Sequence, residues 1–317
     1  MNTTLAKVLY YSGIPFFLRK FKDRNLTVLS LHRVSNERDY FFNPIIPETF
    51  VKLIEYCLKY YSITNFEYCN KKSCKPKLIL SFDDGYYDFI EIVLPILKRY
   101  GLPSNHNVVN SCINNNEIIW SQKLNDIFNY LKDNNIKDDE EIGKHVNFHG
   151  DWDKYYLTFF KLMLKMPSEI RNHILLILEV KYGVKHNYRM MNWEEVIYCS
   201  NNDVEIGCHT YNHDSLYSIE DISNYDIEIQ KSIFELDSKL KKRTKILALP
   251  NGQYNQNVVA YIEKTNIDHL LLVDDKINIL PLQRPLNLVS RINIADNNIF
   301  EMILRAELFH SKIKKII

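Results

Sequence analysis

The sequence predicts an α/β fold in which parallel strands are covered by helices. One observation is a rhythm: short apolar runs recur along the chain, separated by stretches with apolar residues at helical spacing, as expected of parallel strands joined by crossover helices. A second is the way two of those runs end. Leu78-Ile79-Leu80-Ser81-Phe82 runs straight into Asp83-Asp84-Gly85, and Val204-Glu205-Ile206-Gly207-Cys208 runs into His209-Thr210-Tyr211-Asn212-His213. A continuous apolar run bounded by a turn signal reads as a strand buried on both faces. Carboxylates at its end cannot lie unpaired in the core. They belong at the mouth of the sheet, where α/β folds place their chemistry.

Composition sets wide bounds. The 317 residues suffice for one large α/β domain or two small ones, and 46% hydrophobic content is ample for a core. A net charge of +1 supplies no global field for nucleic acid or membrane. The six cysteines form no CxxC pair and no regular framework, which points to free thiols in a reducing compartment.

In chain order, Val8 to Leu18 is apolar but has Pro15 within it and no small-x-small cleavage site after it, so it does not read as a signal peptide. It is also too short to span a bilayer. With Arg19, Lys20, Lys22 and Arg24 following, it reads either as a helix closing the bottom of the domain or as a peripheral membrane contact. Leu26–Leu31 is a strand ending at His32. Pro47-Glu48 opens a helix whose Phe50, Leu53, Ile54, Cys57 and Leu58 form a core-facing stripe. Strands are expected at Tyr61–Phe66 and Leu78–Phe82. A helix then runs to Tyr100, interrupted by Pro95 and stopped by Gly101. Ser104–Val109 is a strand of unusual polarity, and one of its faces can line a pocket.

From Trp120 to about Tyr188 the rhythm becomes helical. Leu124, Ile127, Phe128 and Leu131 mark one helix, further helices are expected over 156–165 and 169–181, and Lys137–Lys144 reads as a charged loop. This is an insertion between strands. Asn192 with Glu195 makes a capping box for the helix leading into the His209 strand. A long helix over Asp221–Leu240 is expected to bury Ile222, Ile229, Ile233, Leu236 and Leu240. A strand over Lys245–Leu249, a helix over Asn257–Lys264, a strand at His269–Val273 and a closing segment at Arg291–Ile294 complete the count of seven or eight units. The boundaries are then 1–25 for an N-terminal helical segment, 26–296 for the barrel with its insertion at about 120–190, and 297–317 for a C-terminal helix.

The two motif-bearing strand ends carry the chemistry. Gly85 lets the chain turn so that Asp83 and Asp84 can face one cavity, although a plain Asp-Asp-Gly turn would read the same. His209 and His213, four apart, fall on one face of a helical turn. One histidine alone is more often structural; two beside a carboxylate form an N/O ligand set for zinc or a similar divalent ion.

Ser81-Phe82-Asp83-Asp84-Gly85 and His209-Thr210-x-x-His213 resemble the first two motifs of the polysaccharide deacetylases, the NodB-homology or carbohydrate esterase family four. Ala248-Leu249-Pro250-Asn251-Gly252 resembles an altered third motif. The resemblance spans about residues 26–295. It implies a distorted (β/α)7–8 barrel and hydrolysis of N-acetyl groups on an amino sugar of a polysaccharide or glycan precursor. One divalent ion, zinc by its donors, would sit on Asp84, His209 and His213, with Asp83 as base and the backbone near Pro250 and Asn251 holding the oxyanion. The arginine many relatives carry two residues before the motif-three proline is Ala248 here, so another group must hold Asp83. The late Leu-x-x-His of the family has no clear counterpart. In poly-N-acetylglucosamine deacetylases, which this pattern resembles, an early Tyr-His motif supplies the acid; Leu31-His32-Arg33-Val34 is similar, and His32 is the expected acid, with orientation of Asp83 as its alternative role. His106 reads either as a substrate contact or as a structural histidine. O-acyl esterase or deformylase activity, or a carbohydrate-binding protein with weakened turnover, are the competing functions. The partner implied is an N-acetylated glycan and no nucleic acid, and the termini lead us to expect a cytoplasmic protein, at most peripheral at the inner membrane.

Overall fold

The structure, a computed structural model, describes residues 3–19, 25–115, 117–218, 223–294 and 298–309. Among these, nine strands form one sheet: β1 (Asn25–Leu31), β2 (Ser62–Ile63), β3 (Lys77–Phe82), β4 (Ser104–Val108), β5 (Val204–Cys208), β6 (Ile246–Ala248), β7 (His269–Val273), β8 (Asn278–Ile279) and β9 (Asn287–Asn293). Seven of them pair in parallel around a closed ring, in the order β1, β3, β4, β5, β6, β7, β9 and back to β1. The fold is a closed (β/α)7 barrel.

The ring is distorted at its lower end. β2 pairs with Lys77 and Leu78 at the start of β3, and β4 takes over the same strand only at Ser81 and Phe82. This explains why the strand expected over Tyr61–Phe66 is just Ser62–Ile63: only that stretch of edge is open to it. β8, which the sequence did not announce, runs antiparallel to Asn25 and Leu26, below the pairing of β1 with β9.

Strand parity sorts the side chains into two cores. Leu29, Leu31, Leu78, Leu80, Phe82, Leu247, Leu270 and Leu272 point outward to the helix layer. The alternate residues Leu26, Val28, Ile79, Ile246, Ala248, Leu271 and Val289 fill the lower barrel interior. Moving up the same inward register, they give way to Ser30, Ser81, Asn105, Asn107 and Arg291, all buried. The barrel is oily below and polar above.

The helices are α1 (Thr3–Tyr11), α2 (Ile14–Arg19), α3 (Pro47–Tyr60), α4 (Leu94–Tyr100), α5 (Asn110–Asn115), α6 (Trp120–Asp133), α7 (Glu140–Gly143), α8 (Trp152–Met163), α9 (Ser168–Tyr182), α10 (Trp193–Ser200), α11 (Ser223–Tyr225), α12 (Ser232–Leu240), α13 (Gln256–Ile262) and α14 (Ile299–Ala306). Pro95 restarts its helix: a wide turn over Phe89–Val93 precedes α4, Leu94 N donates to Phe89 O five residues back, and Gly101 ends the helix at φ 62°. The long helix expected over Asp221–Leu240 runs over 223–240 with a second wide turn, Asp226–Lys231, inside it; Asp221 and Ile222 lie outside the described residues. The charged loop 137–144 contains the short α7, which Asp139 caps through Ile142 N. The capping box of Asn192 and Glu195 is present.

Helices α6 to α9 bury a core of their own, built on Trp120, Leu124, Phe128, Phe159, Leu175 and Leu178. It meets the barrel through Tyr86, Val109 and Met190. The insertion therefore stands on the barrel mouth as a packed unit.

Candidate active site

Three strand ends and one loop converge at the mouth of the barrel. Asp83 continues β3 by one residue, its N–H donating to Leu31 O at 3.0 Å, so its side chain keeps the inward parity of Ile79 and Ser81. Asp84 has the wrong parity and would point outward on a regular strand. Its backbone turns to φ 77°, followed by Gly85 at φ 93°, and this brings the second carboxylate inward. The strain lies on the aspartate as well as on the glycine expected to carry it. Both carboxylates are at most 4% exposed.

His209 follows β5 in the inward register. The segment 209–213 is not the helical turn that its spacing suggests: Thr210 and His213 adopt left-handed φ of 64° and 59°, folding the chain into a tight loop. The two imidazoles still meet, with ring centroids 4.9 Å apart. His209 Nδ1 donates to Ala248 O at 2.9 Å, which leaves Nε2 facing Asp84 Oδ1 at 3.4 Å. His213 Nε2 lies 3.6 Å from the same oxygen. These distances exceed good hydrogen bonds, and Asp84 Oδ1 has no hydrogen-bond partner among the described residues. A buried carboxylate oxygen left bare between two imidazole nitrogens suits a shared cation. The three donors lie within 4.8 Å of one another, and the group can hold a metal ion. Burial, then the neighbouring His209, pushes the His213 pKa down to about 3, so its imidazole is neutral, the form that binds metal.

Asp83 is held quite differently. Arg291, fully buried on β9, donates from Nη1 to Asp83 Oδ1 at 2.8 Å. Asn107 of β4 donates from Nδ2 to the same oxygen at 2.8 Å. Both bonds leave Oδ2 outside the clamp. Burial alone would raise the Asp83 pKa, but Arg291 and His209 together with the Arg291 hydrogen bond outweigh it and hold the carboxyl well below the usual carboxylate range. Arg291 is itself fixed by Leu272 O at 3.2 Å and Ser81 Oγ at 3.2 Å. Gly207 makes room for Asn107, since a Cβ there would overlap the Asn107 Oδ1. Arg291 and Asn107 are the residues that sequence reasoning missed. The signal was present in parity: Val289, Arg291 and Asn293 share the inward face of β9, as Asn105 and Asn107 share that of β4.

The same parity corrects the reading of His106. Between two inward asparagines it must point outward, and its ring packs 4.2 Å from Phe89 in the helix layer, only 1% exposed. It does not reach the cleft and is no substrate contact. Pro250 is buried in the turn over 250–252 and supplies shape. Asn251, at φ 57°, reaches the cleft. Gly252 packs where a Cβ would sit 2.5 Å from Val273 N, which pins this turn against β7.

The resulting cleft has a volume of about 330 Å³. Its floor presents Asp83, Asp84, His209, His213 and the half-buried His32. Leu249, Asn251, Val273 and Asn293 form one wall. Phe41 and Phe42 of the segment after β1, with Gln122, Tyr156 and Phe160 of the insertion, form the other. Phe42 stands edge-on to the His32 ring at 5.6 Å. The insertion also holds the histidine loop: Trp120 Nε1 donates to His213 O at 3.1 Å, and Arg171 pairs with Asp214 at 2.5 Å.

The comparisons with known proteins agree with this geometry. The chain resembles in fold a Streptococcus pyogenes deacetylase, PplD, solved with acetate (TM-score 0.58, 16% identity, 89% of this chain and 98% of that one). It also resembles IcaB from Ammonifex degensii (TM-score 0.60, 14% identity, 90% and 97%) and the deacetylase domain of BpsB from Bordetella bronchiseptica (TM-score 0.51, 15% identity, 86% and 96%). No curated protein sequence matches the chain significantly. The family profile described as polysaccharide deacetylase matches residues 70–270, well over half of the chain. A closed parallel barrel, two motif-bearing strand ends that meet at its mouth, and this match lead to one conclusion: the chain belongs to the polysaccharide deacetylase family.

Proposed function

We propose that the protein is a metal-dependent hydrolase that removes N-acetyl groups from an amino sugar in a polysaccharide or glycan precursor. The observation that carries this reading is the contrast between the two adjacent aspartates. Asp84 is bare between two imidazoles, whereas Asp83 is clamped by Arg291 and Asn107 with one oxygen left over. One carboxylate is suited to hold a cation and the other to handle a proton.

Asp84, His209 and His213 would hold the divalent ion, with zinc favoured by the N/O donor set. When bound, such an ion supplies Lewis acidity toward the amide oxygen and lowers the pKa of water nearby. The chain supplies the rest. Asp83 Oδ2 takes the proton of the attacking water as its oxygen bonds to the acetyl carbon. The backbone N–H at Asn251, in the cleft wall, would donate to the oxyanion. Leu249 and Val273 offer an apolar surface for the acetyl methyl. His32, across the floor, donates a proton to the nitrogen as the C–N bond breaks, because an amide anion is too basic to leave unaided. The products are acetate and a free amine.

The altered third motif and the lack of a late Leu-x-x-His are the only sequence features that favour a binding protein with weakened turnover. Arg291 removes much of that support, because it reaches Asp83 from another strand. The test is to load the protein with metal and offer a panel of N-acetylated sugars and carrier-linked precursors, measuring acetate and amine together. Hydroxyl product without amine would favour an esterase, and formate in place of acetate a deformylase.

A further inference from the structure

We propose that Asn293 sets a preference for amides over esters by accepting the N–H of the acetamido group. The role rests on the deacetylase chemistry proposed above. Asn293 stands half-buried in the cleft wall with Val273. Its backbone is held on both sides: its N–H donates to Asp275 Oδ1 at 3.4 Å, and its carbonyl accepts from Arg305 Nη1 at 3.4 Å. Its side chain is not. Oδ1 is buried without a hydrogen-bond partner among the described residues. Such an oxygen costs free energy until a donor reaches it. Gln122, the amide of the facing wall, is already committed, donating to Asp126 Oδ1 at 2.8 Å and accepting from the Tyr86 hydroxyl at 3.4 Å. A terminal amide turns readily about χ2, so the oxygen of Asn293 can meet a ligand in the cleft.

The sheet decides which donor it meets. β7, β9 and β1 are neighbours around the barrel, and their inward side chains rise in steps toward the mouth. Val273 pairs with Arg291, so Asn293 stands one inward step above Val273. Ser30 pairs with Asn293, so His32 stands one inward step above Asn293. Asn293 therefore lies between the apolar surface for the acetyl methyl and the histidine that protonates the nitrogen. An acetamide is planar and trans, which puts its N–H on the same edge as its methyl. A methyl seated on Leu249 and Val273 thus turns the N–H toward Asn293. Held there, the nitrogen presents its lone pair to His32 as the C–N bond breaks, and the proton from His32 completes the amine. An ester in the same pose has no N–H to offer and leaves Oδ1 unpaired.

The test compares N-acetylglucosamine oligosaccharides with glucose oligosaccharides carrying an O-acetyl group at the same ring position. Leucine matches asparagine in shape and removes the acceptor, so in Asn293→Leu the amide-to-ester ratio of kcat/KM should fall at least ~10-fold. Asn293→Ala, which only removes atoms, makes the same prediction. Asn293→Asp keeps an acceptor oxygen and should restore most of the ratio. A binding arm needs no turnover: in the Asp83→Asn background, Asn293→Leu should raise the Kd of the acetamido oligosaccharide about 3–10-fold and leave that of the ester unchanged. Equal losses on amide and ester, or no loss on either, with metal content and melting temperature kept, overturn the proposal; equal losses would assign Asn293 to a sugar hydroxyl. The deacetylase chemistry itself fails differently, with wild type releasing acetate from the ester and none from the amide, and the role of Asn293 falls with it.

Discussion

Asp83 and Arg291 form a buried ion pair whose value lies in what it does to one proton. The pair sits at 2% and 0% exposure, so removing the arginine leaves a carboxylate with neither water nor cation. We expect Arg291→Met to cost about 3–5 kcal/mol of stability at neutral pH, the usual penalty for breaking a buried pair. Because Asp83 is depressed in the fold, its contribution is present above the ordinary carboxylate range and is lost as pH falls through the depressed value; the variant should lack that acid dependence in urea titrations. Its kcat/KM should also lose the acid side at a higher pH, by ~1–3 units. His32 makes a separable prediction. His32→Ala should keep its metal and lose turnover on amides far more than on an activated ester, whose leaving group needs no proton; equal losses would assign His32 to orienting Asp83. At this scale the sequence disclosed that Asp83, Asp84, His209 and His213 belong to one place, since aspartates and histidines at strand ends have few other reasons to be there. Arg291 was hidden because it lies more than two hundred positions from its partner, in a strand that reads as plain closing structure.

Among the elements, β4 and the histidine loop show where local reading stops. The polar run Ser104-Asn105-His106-Asn107 was legible as an anomaly, but which face points inward depends on register with β3, where Ser81 pairs with Asn105. Register is a property of two strands. Gly207→Ala tests the packing it creates: the added methyl must displace Asn107 Oδ1 and with it the amide on Asp83, so activity should fall more than metal content does. The 209–213 spacing was read as helical because i and i+4 meet on a helix, yet a loop with two left-handed residues achieves the same meeting. Holding such a loop needs outside contacts, and Trp120 Nε1 supplies one. Trp120→Phe keeps the ring and loses the donor, so we expect weaker metal retention against a chelator, with little change in melting temperature. Unchanged metal affinity would show that the bond to His213 O holds nothing in place. Helix α9 and the segment after it offer a pH test. His186 lies between Asp126 at 2.5 Å and Glu179 at 2.8 Å, and these partners raise its pKa to about 9. The stability it lends is fully present below about 6.5 and is lost as pH rises through about 9, so the melting temperature should fall over that range in wild type and less in His186→Gln.

The whole molecule is a barrel with a second packed unit at its mouth, and the sequence announced both through the change from strand–helix alternation to helices alone. It did not announce β8 or the brevity of β2, because both are set by how much strand edge the distorted ring leaves open. Among the described residues no helix is long and apolar enough to cross a membrane. None of the six cysteines forms a disulfide, and only Cys74 is exposed. The two units share the cleft: the barrel supplies two aspartates and three histidines, and the insertion supplies an aromatic wall and a grip on His213. The proposed chemistry requires the barrel floor to perform proton transfer beside a cation. The most direct measurement compares wild type with Asp83→Asn on an N-acetylated amino sugar, following acetate, amine and bound metal together. Wild type should release acetate and amine in equal amounts, and Asp83→Asn should keep near-stoichiometric metal while losing at least ~100-fold in turnover. An Asp83→Asn protein as active as wild type would contradict it.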